Sequence, residues 1–435
     1  MQVREIALRM LLDYEASGKY VNLSLSSHLR DNLGAQDRAL LTSLLYTTVE
    51  HKLTYDYYIA AFTKMSVDKL SDHTRNILRL GIAQIVDMDR IPGFAAVNET
   101  VKLAKNQGER SLVNGVLRNV LRTEELPLPP REKNAARYLS VRYSIPLATV
   151  KHFISEIGEA ETELLLKHFN SSHGITLTVN TCKISRDAYL EKLASLGYNA
   201  KKGEFSQITV KLSDSVNPTE LPGFSEGEFF VQDEASAICA AALSPECGEY
   251  VADVCAAPGG KSYALAVISS DKAKIESSDL HESKISLIKS GRDRLGFESI
   301  SLKARDAREI QNFDFERFDA VLCDAPCSGL GVIAKKPDLR YKDISALSEL
   351  PHLQMEILSA SAKKVKRGGR LVYSTCTLNS AENADLVSEF LSIHPEFSVE
   401  EFTVGSLSSS GGMLTLYPHV HNTDGFFIAK LRKNK

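Results

Sequence analysis

The chain has 435 residues, which is too many for one ordinary core, so we expect two or three domains. Hydrophobic residues make up 43% and charged residues 25%, the balance of a soluble globular protein. No apolar run approaches the roughly 18 residues of a membrane span, and the first residues lack a signal peptide's basic start and apolar stretch. We therefore expect a cytoplasmic protein with no membrane association.

The net charge of −3 gives no overall sign of nucleic-acid binding, so basic residues would have to cluster locally if RNA is the partner. The seven cysteines are odd in number and irregularly spaced, which excludes a disulfide framework. Nothing in the composition indicates an oligomer, and we expect a monomer.

Residues 1 to about 125 carry helical patterns throughout. Leucines at positions 40, 41, 44 and 45 follow the spacing of one helix face, while Gly34, Gly81 and Gly108 are typical of breaks between helices. The pattern predicts an all-α domain over 1–125. Leu126-Pro-Leu-Pro-Pro130 then predicts a linker, because three prolines in five residues cannot continue a helix.

The rest of the chain mixes strands with helices. Residues 132–225 predict a small α+β domain that contains a strand near residues 174–180. From residue 228 to 435, strand-like and helical stretches alternate, which predicts an α/β domain with a mostly parallel sheet. The strands of that domain are predicted at Tyr250–Val254, Ala273–Ser277, Ser299–Lys303, Ala320–Cys323, Arg370–Ser374 and Phe427–Lys430, and a helix at Pro351–Val365.

A glycine-rich turn follows the first strand of the third domain, in Cys255-Ala256-Ala257-Pro258-Gly259-Gly260-Lys261-Ser262. Its Gly-Lys-Ser ending suggests a P-loop, but Cys255 stands where a P-loop needs its first glycine. The two glycines permit close approach of a ligand to the start of a helix. Asp279 ends the next strand, where a carboxylate either accepts bonds from ribose hydroxyls or caps the following helix.

Two cysteines lie in loops that follow apolar strands. Asp324-Ala-Pro-Cys327 ends one strand, and Cys376 follows Tyr373-Ser-Thr at the end of another. Loops at the carboxyl ends of such strands converge on one crevice, so the carboxylate and both thiols are expected to meet there. Cys323 and Cys327 have no nearby second ligand pair, so no metal site is expected. The basic stretch 335–342 either contacts phosphates or is simply solvated.

These segments resemble the motifs of the RNA cytosine-C5 methyltransferases that use S-adenosylmethionine. With the N-terminal third and the closing Asp424-Gly425-Phe426-Phe427, nearly the whole chain resembles bacterial small-subunit rRNA methyltransferases with a fused NusB-like domain. The resemblance implies a multidomain fold: an all-α NusB-like N-terminal domain that binds RNA, a small α+β middle domain, and a Rossmann-like class I methyltransferase domain. Four residues depart from the family's pattern. Thr178 and Glu50 stand where the family usually has arginine, His281 where it has aspartate or asparagine, and Tyr341 where it has tryptophan.

The resemblance also assigns roles. Cys376 would be the nucleophile toward C6 of cytosine, Asp324 would stabilise the adduct at N3, and Cys327 would assist loss of the C5 proton and product release. Residues 255–261, Asp279, Asp306 and Asp324 would bind S-adenosylmethionine, with Asp306 holding the adenine amino group. The implied partner is 16S rRNA, in a reaction most like that of the cytosine-967 class.

Two other functions remain open on the sequence alone. One is a C5 methyltransferase acting on another RNA such as tRNA, against which the NusB-like domain argues. The other is a non-catalytic RNA-binding assembly protein, against which an intact Cys376 and cofactor turn argue. A DNA methyltransferase is disfavoured, because those enzymes place the nucleophile in the Pro-Cys loop, whereas this chain has a second thiol.

Overall fold

The computed structural model describes residues 3–17, 33–171, 174–213, 216–310 and 314–434. The helical pattern expected over 18–32 lies outside the described residues. By its internal contacts the chain divides into two compact units. The first comprises residues 1–170 together with 333–342, and the second comprises 171–332 with 343–435.

The first unit is a bundle of helices. Its core contains the predicted leucines, with Leu41, Leu44 and Leu45 fully or almost fully buried. Gly81 does not break a helix as expected, because it lies inside α4. A Cβ there would be 2.6 Å from Leu117, so this glycine lets two helices approach each other closely. The helices described in this unit are α1 (Val3–Ser17), α2 (Ala35–Glu50), α3 (Lys52–Thr63), α4 (Asp72–Val86), α5 (Gly93–Val101), α6 (Gln107–Arg122), α7 (Ala135–Tyr143) and α8 (Leu147–Phe169).

The second unit begins with a small antiparallel sheet in the order β2-β3-β1-β4, packed against helix α9. Its core includes Leu177, Tyr189 and Phe229, all with no exposed surface. This is the predicted α+β arrangement. The elements are β1 (Ile175–Val179), α9 (Arg186–Ser195), β2 (Ala200–Lys202), β3 (Thr209–Leu212) and β4 (Phe229–Val231).

The large sheet of this unit has eight strands, with the order β10-β14-β9-β8-β5-β6-β7 and β13 paired to β14. Strands β5 to β9 are mutually parallel and all six predicted strands are present, so the α/β prediction is confirmed. The sheet is nevertheless mixed, because β14 runs antiparallel to β9. The strands of this sheet are β5 (Tyr250–Asp253), β6 (Lys274–Asp279), β7 (Ile300–Ala304), β8 (Phe318–Asp324), β9 (Val365–Thr375), β10 (Phe397–Val399), β13 (Met413–Leu416) and β14 (Phe426–Lys433). Two further strands, β11 (Thr403–Val404) and β12 (Leu407–Ser408), form a separate two-stranded sheet.

Helices connect β5 to β6, β6 to β7 and β8 to β9 in the described part of the chain. The turn after β5 leads directly into α11, and the carboxyl ends of β5, β6, β8 and β9 lie side by side at one edge of the sheet. No helix among the described residues has both the length and the apolar character needed to cross a membrane. The helices are α10 (Glu234–Leu243), α11 (Gly260–Ile268), α12 (Glu282–Leu295), α13 (Leu350–Lys364), α14 (Ala384–Ile393) and α15 (Pro418–His421).

Candidate active site

The glycine-rich turn between β5 and α11 is held by hydrogen bonds that its backbone amides donate to β6. The Ala256 amide donates to the Ser278 carbonyl at 2.8 Å, and the Ala257 amide donates to Asp279 Oδ2 at 3.2 Å. Gly259 has φ +111°, a conformation that side chains rarely adopt, and it caps the start of α11. The turn therefore presents backbone and a helix N-terminus at the sheet edge.

The turn also has the space and the donors that a small polar ligand needs. A Cβ on Gly260 would lie 3.1 Å from Gln232 Nε2, so a side chain at this position would crowd the Gln232 amide. Gln232 is buried, its Oε1 accepts a bond from Thr178, and Nε2 has no acceptor within the described part of the chain. A buried donor without a partner is costly, and a ligand acceptor would satisfy it. A small ligand that offers a hydrogen-bond acceptor, as S-adenosylmethionine does, would fit the turn.

The two carboxylates predicted to contact the cofactor are placed differently. Asp279 is 8% exposed and does not cap α12, whose N-cap is His281. Its Oδ2 holds the turn through Ala257, and its Oδ1 lies 3.5 Å from Lys284 Nζ. Asp306 follows β7 and forms an ion pair with Arg308 at 2.6 Å. Hydrogen bonds from Arg308 lower the pKa of Asp306, so this carboxyl is ionised at neutral pH.

Asp324 and Lys261 join the cofactor turn to the Pro-Cys loop. Asp324 Oδ2 lies 2.7 Å from Lys261 Nζ, and its Oδ1 accepts a hydrogen bond from Ser374 Oγ at 2.8 Å. Burial lowers the pKa of Lys261, but the charge and hydrogen bond of Asp324 outweigh it and the pKa is raised overall. The ammonium therefore stays charged beside Asp324. The sequence singled out both residues without predicting that they pair.

The two predicted catalytic thiols lie together. Cys327 Sγ is 3.3 Å from Cys376 Sγ, although the residues are 49 positions apart, and both cysteines are partly buried and neither forms a disulfide. The hydrogen bond to Cys376, together with burial, raises the pKa of Cys327 well above its ordinary value. A protonated Cys327 can donate its S–H to Cys376 Sγ, which favours Cys376 as the nucleophile of the pair. Burial also raises the pKa of the Cys255 thiol, which packs against the core and lies outside the thiol pair.

Glu382 stabilises the loops that carry the two thiols, and no sequence pattern indicated this residue. It has no exposed surface. Its Oε2 accepts bonds from the Ser328 amide at 2.9 Å and from Gln354 Nε2 at 2.8 Å, while Oε1 accepts from Asn379 Nδ2 at 2.9 Å. Gln354 also donates to the Pro326 carbonyl at 3.0 Å. One buried carboxylate thus fixes the loop on both sides of Cys327.

Comparison with known proteins identifies the chain. A family model described as 16S rRNA methyltransferase RsmB/F matches residues 240–432, a NusB family model matches 1–122, and a ferredoxin-like domain of RsmF/B-like methyltransferases matches 146–219. The probable ribosomal RNA small subunit methyltransferase B of Bacillus subtilis (strain 168) is 38% identical, and the match covers 99% of this chain and 98% of that protein. This chain belongs to the ribosomal RNA small subunit methyltransferase B family.

Further similarities agree with this assignment. The protein with the same probable name from Synechocystis sp. is 36% identical with complete coverage of both chains. The crystal structure of PH0851 superimposes with a TM-score of 0.81 at 28% identity, covering 99% of this chain and 98% of that one. The chain is therefore an RNA methyltransferase with a NusB-like helical domain, a ferredoxin-like middle domain and a Rossmann-like catalytic domain. In the described parts of the chain, no three metal-ligating side chains come together.

Two residues that depart from the pattern of the methyltransferase B family have structural roles. Thr178 is fully buried and donates to Gln232 at 3.0 Å, so it cannot contact RNA directly. Glu50 ends α2, and burial raises the pKa of its carboxyl, partly offset by Arg340. The Glu50 carbonyl accepts hydrogen bonds from Arg340 and Tyr341.

Gly331 and Gly425 bring two backbone segments of the methyltransferase site into close contact. The Gly331 amide donates to the Cys376 carbonyl at 3.0 Å, and the Gly425 amide donates to the Gly331 carbonyl at 2.9 Å. A Cβ on Gly331 would lie 2.1 Å from the Gly425 oxygen, and a Cβ on Gly425 would lie 2.7 Å from the Gly331 Cα. Only glycine fits at both positions, which explains the glycine of the closing Asp424-Gly425-Phe426-Phe427 motif.

Proposed function

We propose that this chain methylates C5 of a cytosine in small-subunit 16S rRNA with S-adenosylmethionine as methyl donor, most like the cytosine-967 class. The observation that carries the proposal is the thiol pair, 3.3 Å apart, at the sheet edge that also bears Asp324 and the glycine-rich turn. The rRNA substrate is supported by the names of the relatives and by the NusB-like region. A cytoplasmic location and a monomeric state remain our proposals.

The cofactor would be held by the backbone of residues 255–260, with Lys261, Asp279, Asp306 and Asp324 around it. When bound, S-adenosylmethionine supplies an electrophilic methyl group. Cytosine C5 is a weak nucleophile toward such a methyl, so the chain's own residues must first activate the ring.

Cys376 provides that activation. Its thiolate adds to C6, the new C–S bond uses the sulfur electron pair, and the ring electrons move toward C5 and N3. To stabilise the adduct, Asp324 must carry a proton that it delivers to or shares with N3, and that proton returns to the carboxyl when the aromatic ring is restored. Lys261 and Ser374 hold the Asp324 carboxyl in place for this role.

Cys327 serves the second half of the reaction. After C5 has gained its methyl, the C5 proton must leave, and its electron pair re-forms the C5–C6 double bond as the C6–S bond breaks. This expels Cys376 as a thiolate. Cys327 lies within hydrogen-bonding distance of that sulfur, so its S–H can pass its proton to the departing thiolate while its own sulfur takes up the C5 proton.

We also propose that the functional division follows residues 1–125 for RNA binding, 132–225 for the middle domain and 228–435 for catalysis. The catalytic side chains and the glycine-rich turn all lie in the last of these ranges. A cytosine inside a helix would have to leave its stack to reach them.

A denaturing gel with labelled 16S rRNA fragments tests the thiol roles. Cys327→Ala should form the covalent adduct and release it slowly, which gives a retarded band, while Cys376→Ala should give neither adduct nor product. The reverse pattern would mean that the two roles are exchanged. Activity in both variants with no band would reject covalent catalysis. Bisulfite sequencing of rRNA and tRNA, with and without the protein, tests the substrate and separates a tRNA enzyme or an inactive assembly protein from the proposed activity.

A further inference from the structure

The basic stretch 335–342 is only partly solvated: Lys335, Lys336 and Lys342 are exposed, whereas Arg340 is buried in the helical unit. Residues 333–342 belong to that unit although they follow the Cys327 loop in the chain. Arg340 is 1% exposed and is therefore unavailable to solvent phosphates. Burial lowers the pKa of this guanidinium, partly offset by Tyr341 and Glu50. A buried cation needs specific partners, and Arg340 has them.

Arg340 lies where three helices of the unit end. Its Nη1 donates to the carbonyls of Glu50 and Tyr143, both at 3.3 Å, and its Nη2 donates to the carbonyl of Phe169 at 2.9 Å. These are the last residues of α2, α7 and α8. Carbonyls at helix ends lack partners within the helix, and each helix dipole places negative charge there, so one guanidinium satisfies all three ends. A further bond goes to Asn170 Oδ1 at 2.7 Å.

Tyr341 reinforces the attachment. Its hydroxyl donates to the carbonyls of Val49 at 2.7 Å and Glu50 at 3.0 Å, and it lies 3.0 Å from Ser144 Oγ. The Lys52 ammonium lies 4.0 Å from the centre of the Tyr341 ring. Glu50 and Tyr341, two of the residues that depart from the family's pattern, are therefore hydrogen-bonded to each other.

The chain connects this attachment to the thiol loop. The Gly331 amide is hydrogen-bonded to the Cys376 carbonyl in the catalytic unit, whereas residues 333–342 belong to the helical unit. Val332 is the single residue between Gly331 and the first residue of this segment. Any displacement of 333–342 is therefore transmitted along a very short span to the loop that carries Cys327.

We infer that residues 333–342 form a tether through which the helical unit holds the Cys327 loop, with Arg340 as its positioning residue. This inference rests on the proposed function, since it assigns the helical unit a part in the thiol chemistry as well as in RNA binding. The tether should change turnover and adduct release, whereas a phosphate-binding stretch would change RNA affinity.

The test compares Arg340→Met with Lys342→Met in the full-length protein. Lys342 lies in the same segment and carries the same charge, but it is exposed, so its replacement is a matched control. Hydrogen exchange measured by mass spectrometry over residues 325–345 should rise for Arg340→Met and stay near wild type for Lys342→Met. Arg340→Lys should be intermediate, because a point ammonium cannot replace the guanidinium fork.

Kinetics supply the functional readout. Arg340→Met should lower kcat by roughly tenfold or more, as a misplaced catalytic group does, and slow adduct release, with RNA KM and S-adenosylmethionine affinity near wild type. If Arg340→Met does not fold, Tyr341→Phe removes only a hydroxyl and should give the same pattern more weakly. Equal exchange in Arg340→Met and Lys342→Met, or a raised RNA KM with kcat unchanged, would overturn the tether. If the wild type fails to methylate rRNA, the proposed function falls, while the exchange comparison still decides whether the tether exists.

Discussion

Replacement of Gly331 by alanine should damage the thiol site, because the added Cβ would meet backbone atoms. The added Cβ would lie 2.1, 2.6 and 2.8 Å from three backbone atoms of Gly425, and real Cβ atoms essentially never come closer than 3.0 Å. Backbone cannot rotate away as a long side chain can, so the two segments must separate by about 1 Å, a misplacement that can cost roughly 100-fold in rate. Gly331 also bonds to the Cys376 carbonyl, so the shift reaches the nucleophile.

The stability cost has two parts. Overpacking of this kind costs about 1–3 kcal/mol. Each of the two backbone hydrogen bonds at Gly331 contributes about 0.5–1.5 kcal/mol, and both are strained by the separation. We therefore expect a clear loss of stability in the catalytic unit, measured by urea denaturation, and a single-turnover methylation rate reduced by about two orders of magnitude.

Gly115→Ala is the matched control. Gly115 lies inside α6, and nothing lies within 4 Å of the position of its Cβ. The same substitution there should stabilise the protein by roughly 0.5–1 kcal/mol, because alanine favours a helix more than glycine does. A Gly331→Ala variant with wild-type stability and rate would refute the close approach of Gly331 and Gly425.

Three further outcomes are expected. Burial raises the pKa of Asp253 to about 7, so the folded chain binds an extra proton between about pH 4 and 7 and loses stability as the pH rises through that window. At about 1.4 kcal/mol per pKa unit, the free energy of unfolding of the wild type should fall by about 4 kcal/mol across this window. Asp253→Asn should abolish this fall, so in urea melts the variant should be more stable than wild type at about pH 8 and equally stable at about pH 4. Gly260→Val and Asp279→Ala should each weaken S-adenosylmethionine binding in calorimetric titration, and unchanged affinity in both would place the cofactor elsewhere. A chain beginning at Arg131 should still bind S-adenosylmethionine but methylate rRNA poorly, and full methylation at low RNA concentration would show that the helical region is dispensable.

The sequence was sufficient for the positions of the six predicted strands and for the meeting of the thiols, for a physical reason. Parallel strands deliver their following loops to one edge, so Asp324, Cys327 and Cys376 could be placed together without knowledge of contacts. The antiparallel β14, inserted beside β9, could not be inferred in the same way, because a short apolar run does not reveal its direction or its neighbour. The domain boundaries and the roles of the site residues stay predictions.

Other features were missed because they depend on distant partners. Glu382 follows Asn379-Ser-Ala in a stretch that resembles any surface turn, and only the fold shows that Ser328, Gln354 and Asn379 converge on it. Arg340 was assigned to a basic stretch for the same reason, since its acceptors are carbonyls, which no sequence pattern marks. Gly81 was interpreted as a helix break, although its missing side chain serves the packing of Leu117.

The contact between Gly331 and Gly425 also determines how much of the chain must be translated before the active site can be complete. The nucleophile and its supporting loop are translated well before Gly425, yet the Gly331 carbonyl gains its partner only when the segment leading into β14 has arrived and paired with β9. A nascent chain that ends before this segment already contains both thiols and the glycine-rich turn, but its thiol loop is open on one side. A truncated product that lacks the last strand would therefore carry both thiols without the backbone contact that closes their loop.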